Sequence, residues 1–296
     1  VGGLETRTHP HPDAPLADLP LGDRIQLGHA LVEWLTAEAG IDLLHIKGYA
    51  AEPGLYPAGR ASTDVDVLVR PAHAARLAET LVAHGWEVTT TFRSGSVFHH
   101  AMTLWSEHWG HVDVHRSFPG IGIAPEVFFE RLWDRRREWV IAAWPCRVPA
   151  LDDQALLIVL HAARDPLRGS ADVQSVREAV GSEKWEELEG VARTLGAGVS
   201  WAAATGQLDE WRGHPERGVW EVISRGGSRV ELFRARWRAS RGSAERWELL
   251  RSLLSVNRDH LRMKLLREPR TYDYAQELRS KAADVVRSVL GRRRSG

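Results

Sequence analysis

Apolar residues recur at three- and four-residue intervals from Asp23 to Ala39, with Ile25, Leu27, Leu31, Trp34 and Leu35 on one side. This spacing predicts a helix, which Gly40 ends. Ile41 to Ile46 follows as a short apolar strand, and Tyr49 to Leu55 as a helical turn closed by Pro57 and Gly59. Thr63 to Val69 then alternates strictly. In an extended strand Asp64 and Asp66 point one way and Val65, Val67 and Val69 the other. Pro71 opens a second helix that Gly85 stops. Trp86 to Thr91 is β-rich, and Val97 to Trp105 and His111 to Phe118 read as two strands joined through Glu107 to Gly110. Helical spacing returns from Ile123 to Arg137, and Val140 to Val148 reads as one last strand interrupted by Pro145.

After Pro149 the pattern is helical throughout. Helices are expected over Asp152 to Arg164, Glu183 to Leu195, Gly218 to Arg225, Val230 to Ala239, Ser243 to Leu266 and Tyr272 to Leu290. The fold class is therefore α+β: a small mixed-sheet domain over residues 21–150, followed by an all-helical domain over residues 151–296. Residues 1–20, with Pro10, Pro12, Pro15 and Pro20, read as a flexible N-terminal arm, and the terminal Arg-Arg-Arg-Ser-Gly as a frayed tail.

Composition changes this picture little. The 296 residues are 43% hydrophobic, which fills real cores and excludes a disordered chain. Formal net charge is zero, but residues 224–296 carry 19 Lys and Arg against 8 Asp and Glu. Such asymmetry fits packing on acidic surface, attraction of an anionic ligand, or solvated helix faces. The single cysteine, Cys146, cannot form an internal disulfide, and no apolar run reaches membrane-span length. A cytoplasmic location and no membrane partner are expected.

The candidate chemistry lies in two strands. In His-Val-Asp-Val-His, His111, Asp113 and His115 share one face. Should this strand lie beside Asp64 and Asp66, three carboxylates converge, an arrangement suited to Mg²⁺ or Mn²⁺. Gly48 permits close backbone approach, and a helix starting after it would aim N–H groups at an anion. Lys47 and Arg60 could neutralise phosphate charge. His161 and Arg164 lie on a helix that could face the cleft, and Trp105 and Trp109 could stack on a base or acceptor.

A strand ending in Lys-Gly, an aromatic-proline pair (Tyr56-Pro57), Arg60, then Thr-Asp-Val-Asp-Val-Leu-Val and a later Val-Asp-Val-His resembles an uncharacterised nucleotidyltransferase family of the polymerase-beta-like superfamily. The resemblance covers about residues 22–165. It implies an NTP- and metal-binding domain over residues 21–150, with Asp64, Asp66 and Asp113 as catalytic residues and metal ligands. Lys47, Gly48, Arg60 and His115 fall on its phosphate and nucleotide side. Gly48 stands where the wider superfamily has a Gly-Ser pair, so the usual phosphate-touching hydroxyl is replaced by Tyr49. The expected partners are an NTP or other phosphorylated donor and a peptide or small-molecule acceptor.

Other readings stay open at this level. Asp-x-Asp also holds sugar nucleotides in glycosyltransferases, and a sugar or phosphate could be the transferred group. A toxin-type tRNA nucleotidyltransferase, or a non-catalytic nucleotide- or RNA-binding protein using the basic C-terminal helices, fits the same residues. His-x-Asp-x-His could alternatively hold zinc.

Overall fold

The computed structural model describes residues 19–92, 94, 98–254, 261, 270–277, 279 and 280. Most of the N-terminal arm, the second half of the helix expected to reach Leu266, most of that expected to reach Leu290, and the tail lie outside the described residues.

Helix α1 (Leu21–Glu38) leads into β1 (Leu43–His45), and a single 3-10 turn at Gly48–Ala50 precedes β2 (Asp64–Val69). Helix α2 (Ala74–Ala83), strands β3 (Glu87–Thr90), β4 (Ala101–Ser106) and β5 (Gly110–His115), and α3 (Pro125–Asp134) follow. The five strands form one mixed sheet in the order β1-β2-β5-β4-β3. β2 and β5 are parallel, and the other neighbours are antiparallel. This is the expected α+β fold with a mixed sheet.

Strand alternation assigns the two faces. Val65, Val67 and Val69 join Val112, Val114, Ile25, Val32 and Leu77 in a core between the sheet and helices α1 and α2. Leu44 and Leu68 point the other way. They share a core with Phe128 of α3 and with Leu156 and Leu160 of α4 (Leu151–Ala162). Asp64 and Asp66, four and two residues before Leu68, stand on that second face. The helix that packs on Leu68 thus roofs the sheet beside the acids. Burial of so many aliphatic side chains, each contributing roughly 1.5–3 kcal/mol, fixes this placement.

The stretch expected as a single last strand is instead a hairpin, β6 (Arg137–Ile141) and β7 (Trp144–Val148), with Ile141 paired to Trp144. Its two-residue turn puts Ala142 and Ala143 at φ 49° and 61°. That left-handed geometry is what a type I′ turn requires, but without the Gly or Asn that usually signals it. The hairpin packs beside β1 and α1. There Arg147 binds Glu33 at 2.5 Å, Glu33 binds His45 at 3.1 Å, and His45 meets His29 at 2.8 Å, which ties α1, β1 and β7 together behind the sheet.

Beyond α4 the chain is helical: α5 (Gly169–Thr194), α6 (Gly198–Thr205), α7 (Arg217–Ser224), α8 (Arg229–Ala239) and α9 (Ser243–Leu254). Helix α5 begins well before the expected Glu183, with a break at Gly181 (φ 77°). Helix α6 is apolar enough to be buried without amphipathic spacing and was not expected. Leu188, Ala192 and Trp201 of these helices share the Leu44 and Leu68 core, so sheet and helices are joined by one continuous apolar contact.

Candidate active site

Register brings the acids together. Asp66 on β2 pairs with Asp113 on β5, and Asp113 pairs with Thr103 on β4. One step along the strands, Asp64 pairs with His111, and one step the other way Leu68 pairs with His115. Asp64, Asp66, Asp113 and His115 therefore stand on one face of two adjacent strands, with Thr103 beside them on a third. Donor atoms of Asp66, Asp113 and His115 lie within 4.8 Å of one another. Asp64 is outside that tight group but close enough to feel the charge of both other acids.

Each side chain is held by a specific partner. Lys47 Nζ sits 2.6 Å from Asp66 Oδ1. His115 Nε2 donates to the same oxygen at 2.8 Å, which leaves its buried Nδ1 without a hydrogen bond. Thr103 Oγ1 donates to Asp113 Oδ1 at 2.6 Å. Lys47 reaches Asp66 from a backbone at φ 63°, ψ 177°, a conformation that side chains other than Gly rarely adopt.

The electrostatics follow from this packing. Burial by itself would raise the Asp66 carboxyl, but the Lys47 ammonium and the His115 hydrogen bond outweigh it and hold the group far below the ordinary carboxylate range. Asp64 has no such partner. Burial, then Asp66 and Asp113, push it up to about 7, against the pull of Lys47. The surplus negative charge of the cluster thus falls on the Asp64 side. Carboxylate and imidazole donors converging around such a surplus fit a hard divalent cation.

Gly48 follows Lys47 at φ 54°, and a Cβ there would lie 2.5 Å from Ser62 Oγ and 2.9 Å from Ser62 Cβ. Gly48→Ala is expected to lower stability by about 1–3 kcal/mol. Adding Ser62→Gly should recover the steric part and leave the backbone part, as read by chemical denaturation. The following 3-10 turn is only three residues long, so the anion-binding helix terminus expected after Gly48 does not form.

Arg60 is placed apart from the acids. Its Nη2 lies 3.1 Å from Asp172 Oδ2 on α5, and its guanidinium stacks over the Tyr56 ring at 4.8 Å. Burial, then Asp66 and Asp172, push the Tyr56 hydroxyl above its ordinary value. Burial also raises Asp172, to about 6, despite Arg60. A carboxyl raised on folding binds its proton more tightly in the folded chain. Its contribution to stability is then largest below about pH 4 and is lost as pH rises through 6. Asp172→Asn is expected to flatten the stability profile between pH 4 and 6 by roughly 2 kcal/mol, measured by urea denaturation across that range.

The roof supplies residues from distant elements. His161 of α4 and Arg164 just beyond it are half-buried, near enough to the acids to feel the charge of Asp66. Burial, then Lys47 and Arg164, hold His161 well below its ordinary value. Arg164 Nη1 donates to His100 Nε2 at 3.1 Å, and the His100 ring packs 5.3 Å from that of His115. That donation leaves His100 neutral with its hydrogen on Nδ1. Sequence reasoning missed His100, Asp172 and Thr103. Only Thr103 carried a usable signal, its in-phase place in a strand neighbouring Asp113. Trp105 lies in register with His111 on the site face, whereas Trp109 packs on the opposite core.

No curated protein matches this chain. Among solved structures, the antibiotic-resistance factor ANT(2'')-Ia matches 57% of this chain and 91% of its own, at 15% identity and a TM-score of 0.39. The lincosamide antibiotic adenylyltransferase LnuA, lincomycin-bound, matches 44% of this chain and 82% of its own, at 16% identity and a TM-score of 0.31. Neither superposition is close enough to transfer a residue's role. No helix among the described residues is long and apolar enough to cross a membrane. Residues 28–213, which include every acid of the cluster and its helical roof, match the family described as "Uncharacterised nucleotidyltransferase", and the chain belongs to that family.

Proposed function

We propose that this protein transfers a nucleoside monophosphate from an NTP to an acceptor hydroxyl, with Asp64, Asp66 and Asp113 as the ligands of Mg²⁺ or Mn²⁺. The observation that carries this reading is the pairing of Asp66 with Asp113 across parallel strands, with Asp64 in the next register position and Lys47 on Asp66. A bound divalent cation would supply positive charge to the α-phosphate and to the attacking oxygen.

The chain's own groups do the rest. Thr103 orients Asp113, and His115 orients Asp66, so the carboxylates present fixed oxygens. Lys47 takes the charge of the departing pyrophosphate in this reading, a role in which preorganised charge contributes most. The acceptor oxygen forms a bond to the α-phosphorus while the bond from that phosphorus to the bridging oxygen of the β-phosphate breaks. The hydroxyl proton passes to Asp113 and then to solvent. Few residues are needed because positioning and charge supply most of the rate. The acceptor we propose is a small molecule or a peptide side chain, and the setting is the cytoplasm.

Incubation with each NTP, Mg²⁺ or Mn²⁺ and a panel of hydroxylated acceptors should release pyrophosphate in an acceptor-dependent manner. Absence of pyrophosphate with all four NTPs across the panel would overturn the assignment.

A further inference from the structure

A cavity of about 740 Å³ opens between the lead-in to β4, the loop after β5, and helices α7, α8 and α9. This is the volume range of sites that hold drug-sized molecules. His100 and Phe118 form its inner wall. Both rings pack against His115, at 5.3 and 6.4 Å, and His115 is bonded to Asp66. The cavity therefore ends two side chains from the acids.

Its position along the sheet decides what it would hold. The strand order is β1-β2-β5-β4-β3, and the acids are on β2 and β5 in the middle. Lys47 follows β1 on one side, while Phe98 and His100 precede β4 on the other. An in-line displacement needs the attacking oxygen and the leaving pyrophosphate on opposite sides of the phosphorus. With Lys47 on the leaving side, the β4 side is the side of attack.

The lining has two characters. Phe98, half-buried and stacked at 5.6 Å and 21° on the buried Trp220, gives an apolar wall with Ile121 and Ile123. Glu216, Arg241 and Glu245 are exposed at the mouth. A flat apolar ring gains most against the first, and hydroxyl or amino substituents suit the second.

Building on the nucleotidyl-transfer reading, we infer that this cavity is the acceptor pocket and takes a hydroxylated small molecule carrying a flat apolar ring. The ring lies against Phe98 and Ile121, and a hydroxyl faces His100, whose buried ring must turn aside to open the way to Asp113. The nucleotide occupies the Lys47 side and does not enter the cavity.

The test uses 4-nitrophenyl β-D-glucoside as probe, glucose as its control without the flat aromatic ring, and Mn²⁺-ATP as the nucleotide, each titrated calorimetrically. The full-length protein should bind the glucoside at least tenfold more tightly than glucose. Ala239→Trp, which fills the cavity from the end of α8, should weaken glucoside binding at least tenfold while Mn²⁺-ATP affinity stays within twofold. Arg241→Trp, at the exposed mouth, repeats the block without touching packed residues and is read alone should Ala239→Trp fail to fold. The inference is overturned by a glucoside no tighter than glucose, by unchanged binding in the blocked variants, or by parallel loss of Mn²⁺-ATP. Should Mn²⁺-ATP not bind the unaltered protein, the other three Mn²⁺-NTPs are titrated in its place, and failure of all four would instead count against the nucleotidyl-transfer reading, with the glucoside result still legible.

Discussion

Asp64→Asn should reduce acceptor-dependent pyrophosphate release by roughly 10³-fold, the scale on which single electrostatic contacts to a transition state act. The same substitution should raise the stability of the metal-free protein by roughly 1 kcal/mol. The two effects share one cause. Asp64 is half-buried beside Asp66 and Asp113, and its partial burial and those like charges make its ionised form unfavourable in the folded chain. A residue kept for packing would lose stability on substitution, whereas one kept for charge loses activity and gains stability. Pyrophosphate assays and thermal unfolding on one preparation read both. Retained turnover, or lost stability, would remove Asp64 from the proposed site.

Lys47→Met is expected to have the largest effect on folding, a loss of about 3 kcal/mol. Lys47 and Asp66 form a pair with side chains 9% and 8% exposed, and removing one partner of such a pair strands a buried charge. The proposed cation site offers a specific rescue. With its ammonium gone, the acidic cluster should bind Mn²⁺ more tightly, and millimolar Mn²⁺ should restore much of the lost thermal stability. Turnover should stay low even then, because the leaving pyrophosphate has lost its nearest cation. Unfolding curves with and without Mn²⁺ check this. Stability equal to that of the unaltered protein would mean that Asp66 is neutralised by other groups.

What could be read from sequence was whatever one strand fixes locally. Alternation alone put Asp64 with Asp66, and Asp113 with His115, on polar faces, because valines between them must turn to the core. The parallel pairing that brings the two strands together was a condition that sequence could state but not settle. The partner of Arg60 was out of reach, since Asp172 lies on a stretch of α5 whose helical spacing is weak before the Gly181 break. His100 escaped for a similar reason: its role comes from Arg164, sixty-four positions away. The β6–β7 hairpin was hidden by Ala142 and Ala143, which take left-handed conformations without the residue types that announce them. Helix α6 was hidden by burial on all sides, which erases the amphipathic period.

The fate of isotopic label tests the central claim most directly. NTP carrying ³²P at the α or the γ position would be turned over with an acceptor, and the products separated. Nucleotidyl transfer puts the α label in the acceptor product and the γ label in pyrophosphate. The γ label in the acceptor, with the α label left in a nucleoside diphosphate, would show phosphoryl transfer and contradict the account.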